Sequence, residues 1–438
     1  MKGAFRRLIS TPFVREATIL QSSMWVTTVL QAVVGIAVAR ILGAEQLGQF
    51  ALVTTVVATV SAVTNIGQNF SALTLLSEAS TRQSKTDADA ALAHFAHCSG
   101  YWSVPLTLAA MALVWLCPLT PNAKLWITLS LLALLPSIIT DIVSIALQGT
   151  RRIKQLAGME TTFAVTDFGL LLAGIIIWPT VTGLLVSRLI ASGIRMAISF
   201  GAWKWYLEED PALPGLALRR WLVQTPIQRQ AFALSGWIAA DVQVDRIFRQ
   251  VPYYLLGLVA PLAMIGQYRA LMSYIDLSNS LSGAVGRLLG SVLPRLHVKD
   301  KDAFERSFWK ANISNFLISS TVLFILLASG NAGLTLFFGP EYAVPTIVYW
   351  LLIPLALNGL TVGFGTYYRV HRALYLVLWG QVVSAAAGIA TWILFHDSLS
   401  PLVNTVAAVV VINIVSKLCH AVNFAILRRR QRQKPITS

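Results

Sequence analysis

Long apolar runs dominate the chain, separated by short polar connections. Twelve stretches reach the roughly 20 mostly apolar residues that a spanning helix needs. They are roughly 16–40, 46–68, 93–117, 123–147, 157–178, 180–204, 228–250, 262–292, 307–330, 342–368, 373–396 and 401–427. The longest connection outside them, 205–227, contains Glu208, Glu209, Asp210, Pro211 and Pro214 and is too short to form a domain. This pattern predicts an all-α polytopic membrane protein of about twelve transmembrane helices. Residues 1–15 carry Lys2, Arg6, Arg7 and Arg15 but no small-residue cleavage site, so they read as an interfacial lead-in and not as a cleaved signal.

Composition agrees. Of 438 residues, 56% are hydrophobic and 12% charged, against about 25% charged in soluble domains. A water-soluble enzyme of this size has nowhere to hide that apolar surface. The formal net charge is +15, and topology accounts for most of it. One side holds the N-terminus, Arg82, Lys85, Arg151, Arg152, Lys154, Lys204, Arg219, Arg220, Arg295, Lys299, Lys301, Arg369, Arg372 and the tail Arg428–Lys434. The other side has little beyond Arg40, Lys124 and Arg249. The excess of Lys and Arg marks the cytoplasmic side. Both termini are therefore expected in the cytoplasm, and no nucleic-acid partner is expected. Cys98, Cys117 and Cys419 are too few and too scattered for a disulfide framework or a zinc site. No cofactor is expected either.

The chain repeats weakly at one offset. Gly48-Gln49-Phe50 matches Gly266-Gln267-Tyr268, a step of 218 residues, and Arg151 and Lys154 correspond to Arg369 and Arg372 at the same step. Each match joins equivalent predicted spans, and both basic pairs lie on the cytoplasmic side. The repeat is therefore parallel, with two six-helix halves related about the membrane normal. The expected organisation is 1–204 for the first half, 205–227 for a cytoplasmic linker, and 228–438 for the second half with its basic tail. Repeats of this kind belong to transporters that place their site in a central cavity between the halves.

The run Ala39-Arg40-Ile41-Leu42-Gly43-Ala44-Glu45-Gln46-Leu47-Gly48-Gln49-Phe50 resembles the polysaccharide transporters. These are the Wzx-type O-antigen and exopolysaccharide flippases of the multidrug/oligosaccharidyl-lipid/polysaccharide (MOP) exporter superfamily. Asp245-Arg246, Ile265-Gly266-Gln267-Tyr268 with Ala270, and Phe338-Gly339-Pro340-Glu341-Tyr342 fit the same pattern. Val251-Pro252-Tyr253-Tyr254 is a departure, an insertion before the second glycine motif. The resemblance implies a flippase, not an enzyme, in the bacterial inner membrane. Its cargo would be an isoprenoid-diphosphate-linked oligosaccharide repeat unit. Its partners would be the lipid bilayer and a polysaccharide polymerase with its chain-length machinery. A peptidoglycan-precursor flippase and a multidrug/cation antiporter of the same superfamily are the alternatives. A membrane glycosyltransferase is disfavoured because no connection is long enough to hold a catalytic loop.

Charges inside predicted spans point to the site, because each costs about 2.5–3.5 kcal/mol at a helix centre. They are Asp141, Glu160, Asp167, Arg188, Arg195, Asp241, Asp245, Arg246, Arg269, Asp276 and Arg287. Arg188 and Arg195 share a helix face, as do Asp241 and Asp245, and Arg269 and Asp276. For a diphosphate cargo, Arg195 and Arg269 are the leading cavity arginines, followed by Arg188 and Arg246, because guanidinium binds phosphate as a planar fork. Asp167, Asp241, Asp245 and Asp276 are candidates for orienting them, binding sugar hydroxyls or carrying coupling protons. Gln68 and Asn69, after a bend at Gly67, join the candidate binding residues. Arg287 reads as snorkelling. Pro136, Pro345 and Pro354 are candidate kinks. His94, His97 and Cys98 read as an interfacial group at a helix start, and Trp102, Trp126, Trp178, Trp203, Trp205 and Tyr206 as the aromatic belt.

Overall fold

The computed structural model describes residues 12–210, 213–227, 229–371 and 373–433, and these are helical with no strand among them. Eight stretches of the described residues are long and apolar enough to cross a membrane. The difference from twelve has local causes. The first two expected spans run on as one helix, α1 (Pro12–Thr64), across a sharp break at Gly43, whose φ of 75° suits a residue without Cβ. The seventh and eighth carry the charged stripes noted above. The tenth is broken into pieces by its prolines and glycines.

The chain divides into two compact units. Unit 1 contains residues up to Leu42 and Gln49–Ile247. After α1 it runs through α2 (Gln68–Arg82), α3 (Lys85–Cys98), a π turn at Ser99–Ser103, α4 (Val104–Leu116), α5 (Pro121–Leu132) and α6 (Leu134–Gly149). It continues with α7 (Ile153–Ile177), α8 (Val181–Tyr206), the short α9 (Leu218–Val223) and α10 (Arg229–Phe248). Thus α10, in the second half of the sequence repeat, clusters with unit 1. The break between α5 and α6 follows from Pro136. Without an N–H, Pro136 leaves the Leu132 carbonyl without its i→i+4 partner, and α5 ends there. The unit packs around Leu76, Leu92, Phe95, Ile142, Leu147 and Trp221, all fully buried.

The 205–227 connection is docked firmly on this core. The Trp221 indole N–H donates to Asp89 at 2.7 Å, and Arg220 donates to the same carboxylate. Arg152 pairs with Asp210 at 2.8 Å. Trp203, expected in the aromatic belt, lies instead in the core with its ring 6.5 Å from that of Trp221. Replacing Asp89 by Ala strands the buried indole N–H, at a cost of about 1–3 kcal/mol. We expect a lower melting temperature for Asp89→Ala and faster proteolysis within 205–227. Asp89→Asn, which keeps an acceptor, should retain most of the stability. An unchanged melting temperature for Asp89→Ala would contradict this account.

Unit 2 contains Gly43–Gly48 and the chain from Phe248 onward. It comprises α11 (Val251–Val259), α12 (Leu262–Lys299), α13 (Lys301–Phe338), α14 (Ile347–Leu351), a 3₁₀ segment Ile353–Thr361, α15 (Phe364–Val370), α16 (Leu374–Leu394) and α17 (Pro401–Gln433). The inserted Val251-Pro252-Tyr253-Tyr254 thus opens a short helix of its own. Its aromatic core gathers Phe304, Phe308, Phe364, Tyr367 and Tyr368. Here the glycine motifs converge. A Cβ on Gly48 would strike the Leu262 carbonyl oxygen, and one on Gly266 would strike the Ala44 carbonyl oxygen. Ala44 and Leu262 stand at the same 218-residue step as Gly48 and Gly266. The two repeat segments therefore cross with reciprocal contacts, as a two-fold relation demands, and small residues allow the backbones to meet. Gln267 Nε2 donates to the Glu341 carbonyl at 2.9 Å, and the Glu341 carboxylate lies against Gly43. The motif residues build a helix crossing and a corner.

Candidate functional site

In unit 1 four helices bring charged side chains together, and a fifth adds an asparagine. From α7 and α8, Asp167 Oδ1 lies 3.1 Å from Arg195 Nε. The two side chains are 25% and 36% exposed overall, while the contacting Oδ1 and Nε atoms are themselves buried. Arg188, two turns earlier on α8, is exposed, with its guanidinium carbon 5.4 Å from the Phe50 ring centre. Its charge also reaches Asp167. The shared face inferred from the seven-residue spacing is therefore the face these arginines use.

Asn69, at the start of α2, donates from Nδ2 to Asp141 Oδ2 of α6 at 3.1 Å. The charges of Arg246 on α10 and of Arg195 reach that carboxylate. Arg246 is exposed and donates to Gln243 at 3.4 Å. The bend expected before Gln68 is present. Gly67 has φ 73°, and α1 ends at Thr64 before α2 begins. Gln68 does not join the charged cluster. It is buried, donating to Ser103 Oγ at 3.0 Å and Ser99 Oγ at 3.4 Å. Asp241 and Asp245 lie on α10, but their side chains are outside the described residues.

The remaining candidates belong to unit 2. Arg269 on α12 donates to the Tyr253 hydroxyl at 3.4 Å and sits 5.9 Å from that ring's centre. Asp276 is exposed on the same helix, within electrostatic reach of Arg269. The side chain of Arg287 is outside the described residues.

Two features escaped the sequence reading. Asp141 was visible as an intramembrane charge, but its cross-helix partner Asn69 leaves no mark on within-helix spacing. Lys417, on α17, donates from Nζ to Thr361 Oγ1 at 2.9 Å, beside the Asn413–Asn358 amide contact of 2.7 Å. It was visible as a lysine inside the last span. One expectation is corrected. His94 and His97, which read as a group at a helix start, are 1% exposed within unit 1, and His94 lies against the hydroxyls of Ser71 and Ser235.

No protein-family model matches the sequence, and no curated protein matches it. Solved structures do match in fold. An inward-facing multidrug resistance MATE family transporter of the MOP superfamily superposes with a TM-score of 0.68 at 15% identity, covering 95% of this chain and 99% of its own. The eukaryotic MATE transporter AtDTX14 gives 0.69 at 12% identity over 97% and 99%. The chain has the MATE fold. A MOP superfamily transporter from Pyrococcus furiosus, described as having a binding pocket of reversed polarity that suggests a different function, gives 0.62 at 14% identity over 95% of each chain. Of the charged residues of unit 1, Asp141, Asp167, Arg188 and Arg195 lie on helices long and apolar enough to cross a membrane.

Proposed function

We propose that the protein is a flippase that carries an isoprenoid-diphosphate-linked oligosaccharide from the inner to the outer leaflet by alternating access. The observation that carries this reading is the gathering of Arg188, Arg195 and Arg246 around Asp141 and Asp167 in unit 1. Arginines at membrane depth are expensive unless they line a wet surface or serve a ligand. Guanidinium is suited to diphosphate and acidic sugars. The asparagine and aspartates are suited to sugar hydroxyls. Both termini lie in the cytoplasm of a bacterial inner membrane in this reading, and the isoprenoid tail stays in lipid while the head crosses. A polymerase with its chain-length machinery would take the exported unit. The likeness to a transporter whose reversed pocket polarity is described as suggesting a different function is compatible with this reading.

A second reading, a multidrug or cation antiporter, is favoured by the likeness to multidrug MATE structures. The two separate cleanly. On deletion of the gene, a complete oligosaccharide-diphosphate lipid should accumulate, protected from a membrane-impermeant probe added outside. Normal appearance of that lipid in the outer leaflet, with lost resistance to cationic dyes, would reverse the order of the two readings.

A further inference from the structure

The docked 205–227 connection presents a surface that the transport reading does not use. Around α9 an open cleft of about 700 Å³ is lined by Leu216, Leu218, Arg219, Arg220 and Val223, among others. Its two arginines differ. Arg220 is committed to Asp89, whereas Arg219 is exposed and, among the described residues, has no ion-pair partner. The apolar side chains beside it are also bare, with Val223 75% and Ile227 55% exposed.

This exposure is fixed, not incidental. Trp221 is fully buried, its indole is bonded to Asp89, and the Tyr101 hydroxyl donates to the Leu222 carbonyl at 2.7 Å. These contacts hold α9 in one rotation, so Val223 cannot turn inward to escape water. The connection also starts where Val181–Tyr206, a helix long and apolar enough to cross a membrane, ends. Trp205 and Tyr206 stand exposed at that end, the residues that settle at headgroup level. Nearby acids are accounted for in part: Asp89 and Asp210 are paired with Arg220 and Arg152, while Glu208 lies in the turn after α8 and Glu209 is exposed.

We propose that this cleft is a binding site for an anionic phospholipid of the surrounding leaflet. The lipid phosphate sits on Arg219, and its acyl chain lies along Leu216, Leu218 and Val223. Committed Arg220 forms the wall, and free Arg219 supplies the charge that the cleft lacks a counterion for. The connection is thereby fastened to the bilayer surface, and no step of transport is assigned to it.

The test uses the full-length protein in bilayers carrying a photoactivatable phosphatidylglycerol, with the matching phosphatidylcholine as comparison. Crosslinks are mapped by peptide mass spectrometry. We expect labelling of residues 216–224 by the phosphatidylglycerol probe and much less by phosphatidylcholine. Arg219→Ala should lower that labelling about fivefold, the contribution of one basic residue at an anionic surface, and Arg219→Glu should lower it further. Labelling elsewhere on the protein should not change, which separates loss of the site from misfolding. Equal labelling by phosphatidylcholine, or labelling unchanged in Arg219→Glu, would overturn the proposal. So would its abolition by millimolar inorganic phosphate, which would make the site one for soluble anions. None of these outcomes bears on the flippase reading, whose test is leaflet location of the cargo.

Discussion

Gly48→Ala should cripple the protein, because its added methyl has no room at a backbone crossing. The added Cβ would lie inside the contact distance of the Leu262 carbonyl oxygen, a backbone atom that cannot rotate aside. Overpacking a well-packed site costs about 1–3 kcal/mol when side chains can yield. Here the two helices must part, so the loss belongs at or above the top of that range. Gly266→Ala meets the Ala44 carbonyl in the same way and should cost a similar amount. The double variant discriminates. If the two methyls push open one shared crossing, the second adds little once the first has separated the helices, and the losses fall short of additive. Independent, additive losses in the melting temperature of detergent-purified protein would mean the glycines are not partners across one crossing. Full stability of either single variant would remove the crossing from the account.

This crossing also shows what the amino-acid sequence disclosed and what it withheld. The 218-residue step was readable because Gly-Gln-aromatic occurs at both places, and a Cβ is excluded at both. The apolar runs were readable because lipid permits little else. Span ends were harder where one helix continues through a glycine break, as at Gly43, or where prolines shred a helix, as between Ile347 and Val370. Hydropathy sees neither. For the candidate site, the seven-residue step from Arg188 to Arg195 revealed a shared face, because it is set by one helix. The partner across the gap was not readable. Asn69 meets Asp141 over 72 residues of chain, and His94 meets Ser235 over 141. Those pairings depend on how helices pack, and no spacing within one helix encodes that. His94 shows the consequence: a ring that looked interfacial on its own helix is buried against hydroxyls supplied by two others.

The Arg195–Asp167 pair carries the second large expected effect, and its geometry allows a binding role to be told from a clamp. If the pair only clamps α7 to α8, removing either partner leaves the other charge uncompensated, and Arg195→Ala and Asp167→Ala should lose stability alike. Exchanging the residues (Arg195→Asp with Asp167→Arg) should then restore both stability and transport. If Arg195 serves an anionic cargo, the result is asymmetric. Arg195→Ala should reduce export more than tenfold, equivalent to losing one charged hydrogen bond of about 1.5–3 kcal/mol. The melting temperature should fall little, since the pair is partly exposed and such pairs contribute about 0–1 kcal/mol. Arg195→Lys should restore only part of the export, because an ammonium keeps the charge but not the planar fork. Asp167→Asn should leave Arg195 in place and reduce export much less. The exchanged variant should remain inactive although folded, since it returns the ion pair but moves the guanidinium onto the other helix. The measurement is appearance of the lipid-linked oligosaccharide in the outer leaflet, with protein level and melting temperature recorded beside it. Recovery of export in the exchanged variant would reduce Arg195 to a clamp. That outcome would shift the search for the cargo's phosphate site to Arg188 and Arg246, the two exposed arginines of the same cluster.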